Sequence, residues 1–302
     1  MTDDRKTHLD PLAVTLLVGC AFVWGLGQVA AKVGLSAYPP MLQGGVRSLG
    51  AVALLMLWAR WRGVPLFKAD GTAGGGLLAG TLFAAEFGCI FGGLQYTSAS
   101  RMAVFIYLAP FIVALGMPFV SRNEKLHPAQ MVGLGVAFVG VVWAFAEGFT
   151  APAVGPQQWI GDALGLLAAL LWGLTTLTLR ATRLSTAAPE KTLFYQLGVS
   201  GLALTAAGLL GGEVWPASVS FWPLAALVFQ ILVVSFASYL VWFWLIRHYP
   251  ATRISSFTLL TPMFGLLAGV LLLGEALTTR LAVALLAVCV GIWLVNRPVA
   301  RP

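Results

Sequence analysis

The chain has 302 residues, of which 59% are hydrophobic and only 10% are charged, with a formal net charge of +7 at pH 7. A soluble domain carries about 25% charged residues, so this composition excludes a protein whose surface is covered by water. Apolar runs recur along the whole chain rather than at one end, which excludes a signal peptide or a single anchor. The sequence therefore predicts an all-α integral membrane protein.

Ten apolar runs are long enough to cross a bilayer, because a spanning helix needs about 20 residues. Breaks at Pro, Gly, Ser and charged residues separate the runs. The predicted transmembrane helices are 12–34, 41–60, 74–96, 101–120, 128–147, 160–181, 190–211, 221–246, 252–273 and 279–296. The connections are short, so we expect no attached soluble domain and the lipid bilayer as the main surrounding partner.

Basic residues fall mainly on one side of these ten spans. If the N-terminus is cytoplasmic, most of the 18 Lys and Arg residues lie in cytoplasmic segments, whereas the outer loops 149–159 and 212–220 contain none. This asymmetry follows the positive-inside rule and predicts that both termini are cytoplasmic. The positive net charge is then a matter of topology, and no nucleic-acid partner is expected.

The two halves of the chain share a pattern of uncommon residues. Trp24-Gly25 recurs as Trp172-Gly173 and Pro110 recurs as Pro262, each about 150 residues later, which is the mark of a duplication. The predicted repeats are 1–148 and 149–302, with five helices each. Because five is odd, the second repeat enters the membrane from the opposite side, which gives the inverted repeat common among secondary transporters.

The two prolines lie inside the apolar stretches 105–119 and 257–271. Proline in a helix interior costs about 3 kcal/mol, because it removes an N–H and clashes with the preceding turn. Within a bilayer the freed carbonyl must be satisfied by neighbouring helices, side chains or water. We interpret Pro110 and Pro262 as hinges at equivalent points of the repeats, and static packing kinks are the alternative.

Pairs of glycines four residues apart predict places where helices pack closely, because small residues let two backbones approach each other. They are Gly76–Gly80, Gly88–Gly92, Gly161–Gly165 and Gly265–Gly269.

The sequence resembles the EamA-type members of the drug/metabolite transporter superfamily over nearly its whole length. The resemblance rests on Trp24-Gly25, Trp172-Gly173, Pro110, Pro262 and LLLGEAL at 271–277. The first half departs from the pattern, with SRNEKL at 121–126 where Gly-Glu is expected. The spacing and aromatic content are similar to the YddG-type exporters of aromatic amino acids. This resemblance implies ten helices around a central cavity, alternating access, export across the bacterial inner membrane, and no cofactor.

Charged residues inside the hydrocarbon are costly and are functional candidates by default. Glu86 is the only acidic residue near the middle of any predicted span, where it would meet a substrate ammonium or carry a proton; a protonated packing residue is the alternative. Lys32 and Arg47 lie toward the outer ends of their spans, so we expect their long side chains to reach the headgroups. Attraction of a substrate carboxylate is the alternative for these two.

Aromatic and polar residues near mid-span are the other binding candidates, because a ligand of mixed character needs an apolar wall with a few polar groups. Trp24 and Trp172 occupy equivalent positions, and each has polar neighbours on the same helix. The predicted substrate-binding residues are Trp24, Gln28, Glu86, Tyr107, Trp172, Thr176, Tyr239 and Ser256. Each of them taken singly is also explained as a packing residue.

The sequence contains neither HExxH nor GxSxG, and its three cysteines stand far apart without the spacing of a metal site. We therefore expect no enzyme activity and no bound metal. The predicted function is a secondary transporter, acting as a monomer, that exports small metabolites including aromatic amino acids. The alternatives are an exporter of drugs or other amphipathic metabolites, an intramembrane enzyme, and a passive channel.

Overall fold

The structure, a computed structural model, describes residues 6, 8–97, 99–121, 126–150, 155–273 and 279–297. All regular elements within these ranges are helices. They are α1 Pro11–Leu35, α2 Pro40–Trp61, α3 Ala73–Gly93, α4 Ala99–Ile106, α5 Ala109–Val120, α6 Pro128–Ala144, α7 Glu147–Thr150, α8 Gln158–Ala181, α9 Pro189–Leu210, α10 Phe221–Phe229, α11 Tyr239–His248, α12 Ala251–Ser256, α13 Leu260–Leu273 and α14 Thr279–Asn296. Residues 274–278, which hold the GEAL of LLLGEAL, and residues 122–125 of SRNEKL lie outside the described residues.

Seven helices in the described part of the chain are long and apolar enough to cross a membrane. They are Pro11–Leu35, Pro40–Trp61, Ala73–Gly93, Arg101–Val120, Gln158–Ala181, Pro189–Leu210 and Phe221–His248, and the shorter apolar helices are Pro128–Ala144 and Ala282–Asn296. The prediction of an all-α, multi-span membrane protein is confirmed at this level. The observed helix ends lie within about three residues of the predicted ones.

Large apolar side chains cover the outside of the molecule. Phe119 is 92% exposed, and Trp61, Trp159 and Trp222 are exposed at the ends of their helices. A soluble monomer rarely exposes apolar patches of this extent. Tryptophans at helix ends also match the aromatic belts that lie at the two membrane interfaces. This surface therefore suits lipid rather than water.

The helix boundaries follow from local sequence. Proline occupies the first helical position of α1, α2, α6 and α9, where its missing N–H costs no hydrogen bond. The Asp10 side chain accepts a hydrogen bond from the Ala13 N–H at 2.9 Å and so caps α1. Gly63 and Gly212 take positive φ just after α2 and α9, where the left-handed conformation ends a helix.

The two apolar stretches that contain mid-span prolines are both divided into two helices. The break between α4 and α5 falls at Tyr107 and Leu108, and a 3₁₀ turn, Phe257–Leu259, separates α12 from α13. Pro110 and Pro262 therefore lie in the first turn of α5 and α13 instead of in a helix interior. The first turn lacks internal partners for its N–H groups, so the cost of each proline is largely avoided.

A third interruption was not predicted from the sequence. Residues Gln230–Ser238, between α10 and α11, form a π-helix of nine residues. The Ser238 hydroxyl donates to the Val234 carbonyl at 2.5 Å within this segment. π-Helices are uncommon and occur frequently at functional sites. This segment is therefore a candidate functional feature of the α10–α11 run.

The helices pack in a recurring set of pairs. α6 packs against α14, and α2 packs against α9. α8 contacts α3 and both α4 and α5, while α1 contacts the α10–α11 run and α13. The α6–α14 contact is close at the backbone, since a Cβ placed on Gly133 would lie 2.8 Å from the Gly291 carbonyl oxygen.

Candidate functional site

A cavity of about 630 Å³ lies among the helices. Its walls come from α1, α2, α3, α4, α8, α9, the π-helix, α11 and α13. Ligand pockets in proteins have volumes of about 300–1,000 Å³ and mostly apolar walls with a few polar groups. The cavity therefore has the size and position of a small-molecule site.

Seven of the eight predicted substrate-binding residues line this cavity: Trp24, Gln28, Glu86, Tyr107, Trp172, Thr176 and Tyr239. Ser256 is not brought to it. The Ser256 hydroxyl is buried and donates to the Arg253 carbonyl at 2.7 Å, as a helix-packing serine does. Of the two predicted hinge residues, Pro262 lines the cavity and Pro110 does not. The binding and hinge roles themselves stay predictions.

Trp24 is held by a group of aromatic and polar side chains on one wall. Its indole N–H donates to the Ser238 hydroxyl at 2.8 Å. Its ring meets those of Tyr239 and Trp242 edge to face, with centroids 5.9 and 4.9 Å apart. Such edge-to-face pairs are favourable because the positive ring edge meets the negative face. The π-helix thus supplies the acceptor that fixes the Trp24 indole.

The equivalent tryptophan, Trp172, lies in a different environment. Its ring packs against that of Tyr107 with centroids 6.0 Å apart. The Tyr107 hydroxyl in turn accepts a hydrogen bond from Gln28 Nε2 at 3.1 Å. This contact joins α1, α8 and the break between α4 and α5, so the wall includes the point where the divided helix changes direction.

Arg47 was expected to reach the headgroups, and this expectation is wrong. The side chain is only 7% exposed and lines the cavity. Its guanidinium lies over the Phe87 ring, 4.6 Å from the centroid, in a cation–π contact. Its Nε and Nη2 have no hydrogen-bond partner among the described residues. The alternative for Arg47, attraction of a substrate carboxylate, stays a prediction. The side chain of Lys32 lies outside the described ones.

Glu86 is a second buried ionisable side chain on the cavity wall. It is 6% exposed, and its Oε2 has no hydrogen-bond partner among the described residues. Arg47 interacts with it electrostatically. The ion pairs formed by the described residues within 4.0 Å do not include this one. The guanidinium nitrogens of Arg47 and the carboxyl oxygens of Glu86 are therefore more than 4.0 Å apart.

Helix contacts place Arg47 and Glu86 at the same depth. On α2, Gly45 packs against Thr205 of α9, while Leu49 packs against Gly201. Arg47, midway between Gly45 and Leu49, is therefore level with about Ala203. On α3, Gly80 packs between Tyr195 and Val199, and α3 runs in the same direction as α9. Gly80 is thus level with about Leu197. Glu86 lies six residues after Gly80, and Ala203 lies six residues after Leu197, so Glu86 is level with about Ala203, as Arg47 is.

Three buried glutamines also line the cavity: Gln43, Gln196 and Gln230. Gln43 and Gln230 are held in place, because Gln43 Nε2 donates to the Ala31 carbonyl at 3.2 Å and Gln230 Nε2 donates to that of Ala30 at 3.4 Å. Gln196 differs, since its Nε2 has no hydrogen-bond partner in the described part of the chain. Sequence reasoning missed Arg47 and Gln196 as site residues. Aligning the repeats at Pro40 and Pro189 would have found them, because it pairs Arg47 with Gln196.

Polar contacts also join the helix ends. Arg101 Nε donates to Asp162 Oδ1 at 3.0 Å, and Lys191 Nζ donates to Asp70 Oδ2 at 2.7 Å. At the start of α1, hydrogen bonds from Lys6, the Ala13 N–H and the Tyr249 hydroxyl lower the pKa of Asp10 to about 2. Lys191 likewise holds the pKa of Asp70 well below its usual value.

Several apolar helices surround a ligand-sized cavity with buried ionisable side chains on its wall. This arrangement is typical of a membrane transport protein. The chain belongs to the EamA-like transporter family, which it matches over residues 11–146 and 159–297. The resemblance inferred from the sequence is thereby confirmed.

Individual relatives match over almost the whole length. The chain is 25% identical over 302 residues to the uncharacterized transporter YoaV of Bacillus subtilis (strain 168), covering 96% of each chain. It is 24% identical over 280 residues to a probable amino-acid metabolite efflux pump of Escherichia coli (strain K12), covering 90% of each. The chain is also similar to a crystal structure of another protein, with a TM-score of 0.80 and 17% sequence identity over 94% of this chain and 96% of the other. This similarity shows a shared fold.

Proposed function

We propose that this transporter exports amino acids, including aromatic ones, across the bacterial inner membrane by alternating access. The observation that carries the proposal is the pair Arg47 and Glu86. A free amino acid carries a carboxylate and an ammonium close together, and the cavity wall holds a guanidinium and a carboxyl group at one depth, each with buried polar atoms that no described residue satisfies.

The energetics favour a ligand between these two groups. A buried charge without a partner is costly, and full neutralisation requires direct hydrogen bonds. Guanidinium groups bind carboxylates through paired N–H donors, so the unpaired Nε and Nη2 of Arg47 suit the substrate carboxylate. Glu86 Oε2 is an acceptor for the substrate ammonium. The amino acid would thus complete the ion pairs that the protein leaves open.

The remaining wall suits an apolar or aromatic side chain. Four aromatic side chains line the same cavity: Trp24, Tyr107, Trp172 and Tyr239. Rings of this kind bind aromatic groups through offset and edge-to-face contacts. Two matched relatives, from Escherichia coli and Salmonella typhimurium, are named as probable amino-acid metabolite efflux pumps, which supports this substrate class.

The packing pattern supports the inverted repeat of two five-helix units, 1–148 and 149–302. Exchanging the two units turns the α3–α8 contact into the contact of the α10–α11 run with α1. It also turns the contacts of α4 and α5 with α8 into that of α13 with α1, and leaves α2–α9 and α6–α14 unchanged. The two segments matched by the family fall within the two units. We infer ten spans with both termini cytoplasmic.

With a cytoplasmic N-terminus, the cavity residues of the first four spans lie in their outer halves. Trp24 and Leu35 are in the second half of α1, Glu86 and Leu94 are toward the end of α3, and Arg47 is near the start of α2. By the same topology, the cavity residues of α8, α9 and α11 lie in the inner halves of their spans, so the cavity reaches across the middle of the membrane. Alternating access then requires two states, in which these residues are reached from the outside in one and from the cytoplasm in the other.

The test is competition for uptake into proteoliposomes by three molecules of one shape: tryptophan, tryptamine and indolepropionate. The wild-type protein should prefer tryptophan, which carries both charges, over the other two by at least about tenfold, the effect of one charge-assisted hydrogen bond. Arg47→Met should weaken tryptophan binding without affecting tryptamine, and Glu86→Gln should weaken it without affecting indolepropionate. Arg60→Met, an exposed arginine at the end of the same helix, is the matched control.

Equal competition by all three molecules would overturn the amino-acid assignment and favour an exporter of amphipathic metabolites. Counterflow distinguishes a carrier from a passive channel, since preloaded unlabelled substrate should accelerate entry of labelled substrate only in a carrier.

A further inference from the structure

Gln196 is a buried polar side chain on the cavity wall with no role in the function proposed above. It lies in α9, is 2% exposed and lines the cavity. Its Nε2 has no hydrogen-bond partner among the described residues. A buried amide without a partner destabilises the fold. A ligand that supplies a hydrogen-bond acceptor to Nε2 would remove this cost.

The depth of Gln196 separates it from the two charged groups. Arg47 and Glu86 are level with about Ala203, and Gln196 stands about two turns, ~10 Å, further along the helix axis toward the start of α9. The same cavity reaches both levels. An amino acid held by its carboxylate and ammonium at the first level would therefore extend its side chain toward Gln196.

The chemistry differs between the two levels. Arg47 and Gln196 occupy equivalent positions in the two repeats, counted from Pro40 and Pro189, but one is a cation and the other a neutral amide. A carboxylate at the Gln196 level would be buried without a counter-charge, which is costly. A neutral oxygen can accept the Nε2 hydrogen bond without that cost. Thr176, whose hydroxyl donates to the Trp172 carbonyl at 3.3 Å, presents an oxygen that can accept in return.

We propose that Gln196 binds the far end of the substrate side chain, and that the preferred substrates are amino acids with an uncharged hydrogen-bonding group there, such as the phenol of tyrosine. The proposal rests on the amino-acid function proposed above. The phenol oxygen accepts from Gln196 Nε2. Phenylalanine fits the same aromatic wall but leaves Nε2 unsatisfied.

The experiment compares tyrosine, phenylalanine and 4-methylphenylalanine, which has the size of tyrosine without its hydrogen bond, as competitors for uptake into proteoliposomes. Wild-type protein should prefer tyrosine over both by about tenfold, as one well-placed hydrogen bond provides. Gln196→Met, of similar length and apolar, should bring this ratio to near one with the phenylalanine constant unchanged. Leu202→Met, on an exposed face of the same helix, should keep the wild-type ratio.

The outcomes separate the two proposals. A wild-type ratio near one, or an unchanged ratio in Gln196→Met, overturns the role of Gln196 and leaves amino-acid export standing. The preference for tyrosine in the wild-type protein tests the proposal without any variant, so poor folding of Gln196→Met would not prevent the test. Transport of none of the three amino acids overturns the proposed function and this inference together.

Discussion

Two ionisable side chains, Arg47 and Glu86, lie beside the cavity with polar atoms that no described residue satisfies. A site of this kind lowers the stability of the empty protein and raises its affinity for a ligand that carries both charges. The same two residues show the limits of sequence reasoning. Glu86 is recognisable because acids are rare in spans, whereas the direction of the Arg47 side chain depends on which helices surround it.

The first prediction is that removing both charges restores stability but not transport. In Arg47→Met/Glu86→Leu, well-packed apolar groups replace two buried charges, which is often neutral or stabilising. Arg47→Met alone leaves the carboxylate of Glu86 without its neighbour and should cost up to about 3 kcal/mol. Thermal unfolding in detergent should therefore rank the double variant above the single one. A double variant less stable than both single variants would show that the two charges stabilise the fold.

The second prediction concerns Asp10 at the start of α1. Its pKa in the folded protein, about 2, is below the ordinary 3.8, so its ionised form stabilises the fold above about pH 4. That stabilisation is lost as the pH falls toward about 2. Asp10→Asn keeps a capping acceptor but loses the charge, and should lower Tm by about 2 °C at pH 7. The difference in Tm from wild type should shrink below pH 4, and a difference independent of pH would contradict the assignment.

At the scale of helices, sequence patterns predicted where elements lie better than how they bend. Apolar length and proline placed the ends of the observed helices, because those signals act within a few residues. The glycine pairs were only partly correct: a Cβ on Gly76 or Gly80 would meet α9, but one on Gly88 would meet nothing within 4 Å. The π-helix Gln230–Ser238 has no such local signal, since it depends on what α1 and α2 present to it.

The third prediction uses two glycines of α6 that differ only in what they face. A Cβ on Gly133 would meet the backbone of α14 at 2.8 Å, whereas one on Gly135 would meet nothing within 4 Å. Gly135→Ala should leave stability unchanged or raise it by up to about 1 kcal/mol, because alanine favours helix. Gly133→Ala should lower Tm, because backbone atoms cannot move aside. Equal effects of the two substitutions would mean that α6 and α14 do not pack this closely.

The fourth prediction tests the hinges. Each proline lies in the first turn after a helix break, so Pro110→Ala and Pro262→Ala return a backbone donor and favour one continuous helix. If the breaks move during transport, each variant should slow it by about fivefold, the effect of roughly 1 kcal/mol on two access states. Because the repeats are inverted, one variant should raise and the other should lower the reactivity of a cysteine at Ala103, on the cavity wall, with an impermeant thiol reagent. Full transport in both would mean that the kinks are static.

At the scale of the whole molecule, charge and apolar surface together define how the protein sits in the membrane. The exposed apolar belt meets lipid, and the basic residues gather in loops assigned to the cytoplasm. Sequence alone predicted the apolar surface, because hydropathy acts on the whole chain at once; the cytoplasmic assignment of the basic loops stays a prediction. The resemblance implied a central cavity, but its volume and its full lining were beyond sequence alone, since side chains of many helices form it, from Trp24 to Leu266.

The last prediction concerns sidedness. Ser218 and Thr186 are both exposed, in connections that the ten-span topology assigns to opposite faces. In a background where Cys20, Cys89 and Cys289 are replaced by alanine, an impermeant thiol reagent should label Ser218→Cys in intact cells, but Thr186→Cys only after lysis. A cysteine at Ala103, which lines the cavity in the outer half of its inferred span, should also react from outside, and saturating amino acid should protect it. Outside labelling at Thr186→Cys would reject the topology. Reaction at Ala103→Cys only after lysis, with Ser218→Cys labelled as expected, would show that the cavity opens to the cytoplasm and would keep the topology.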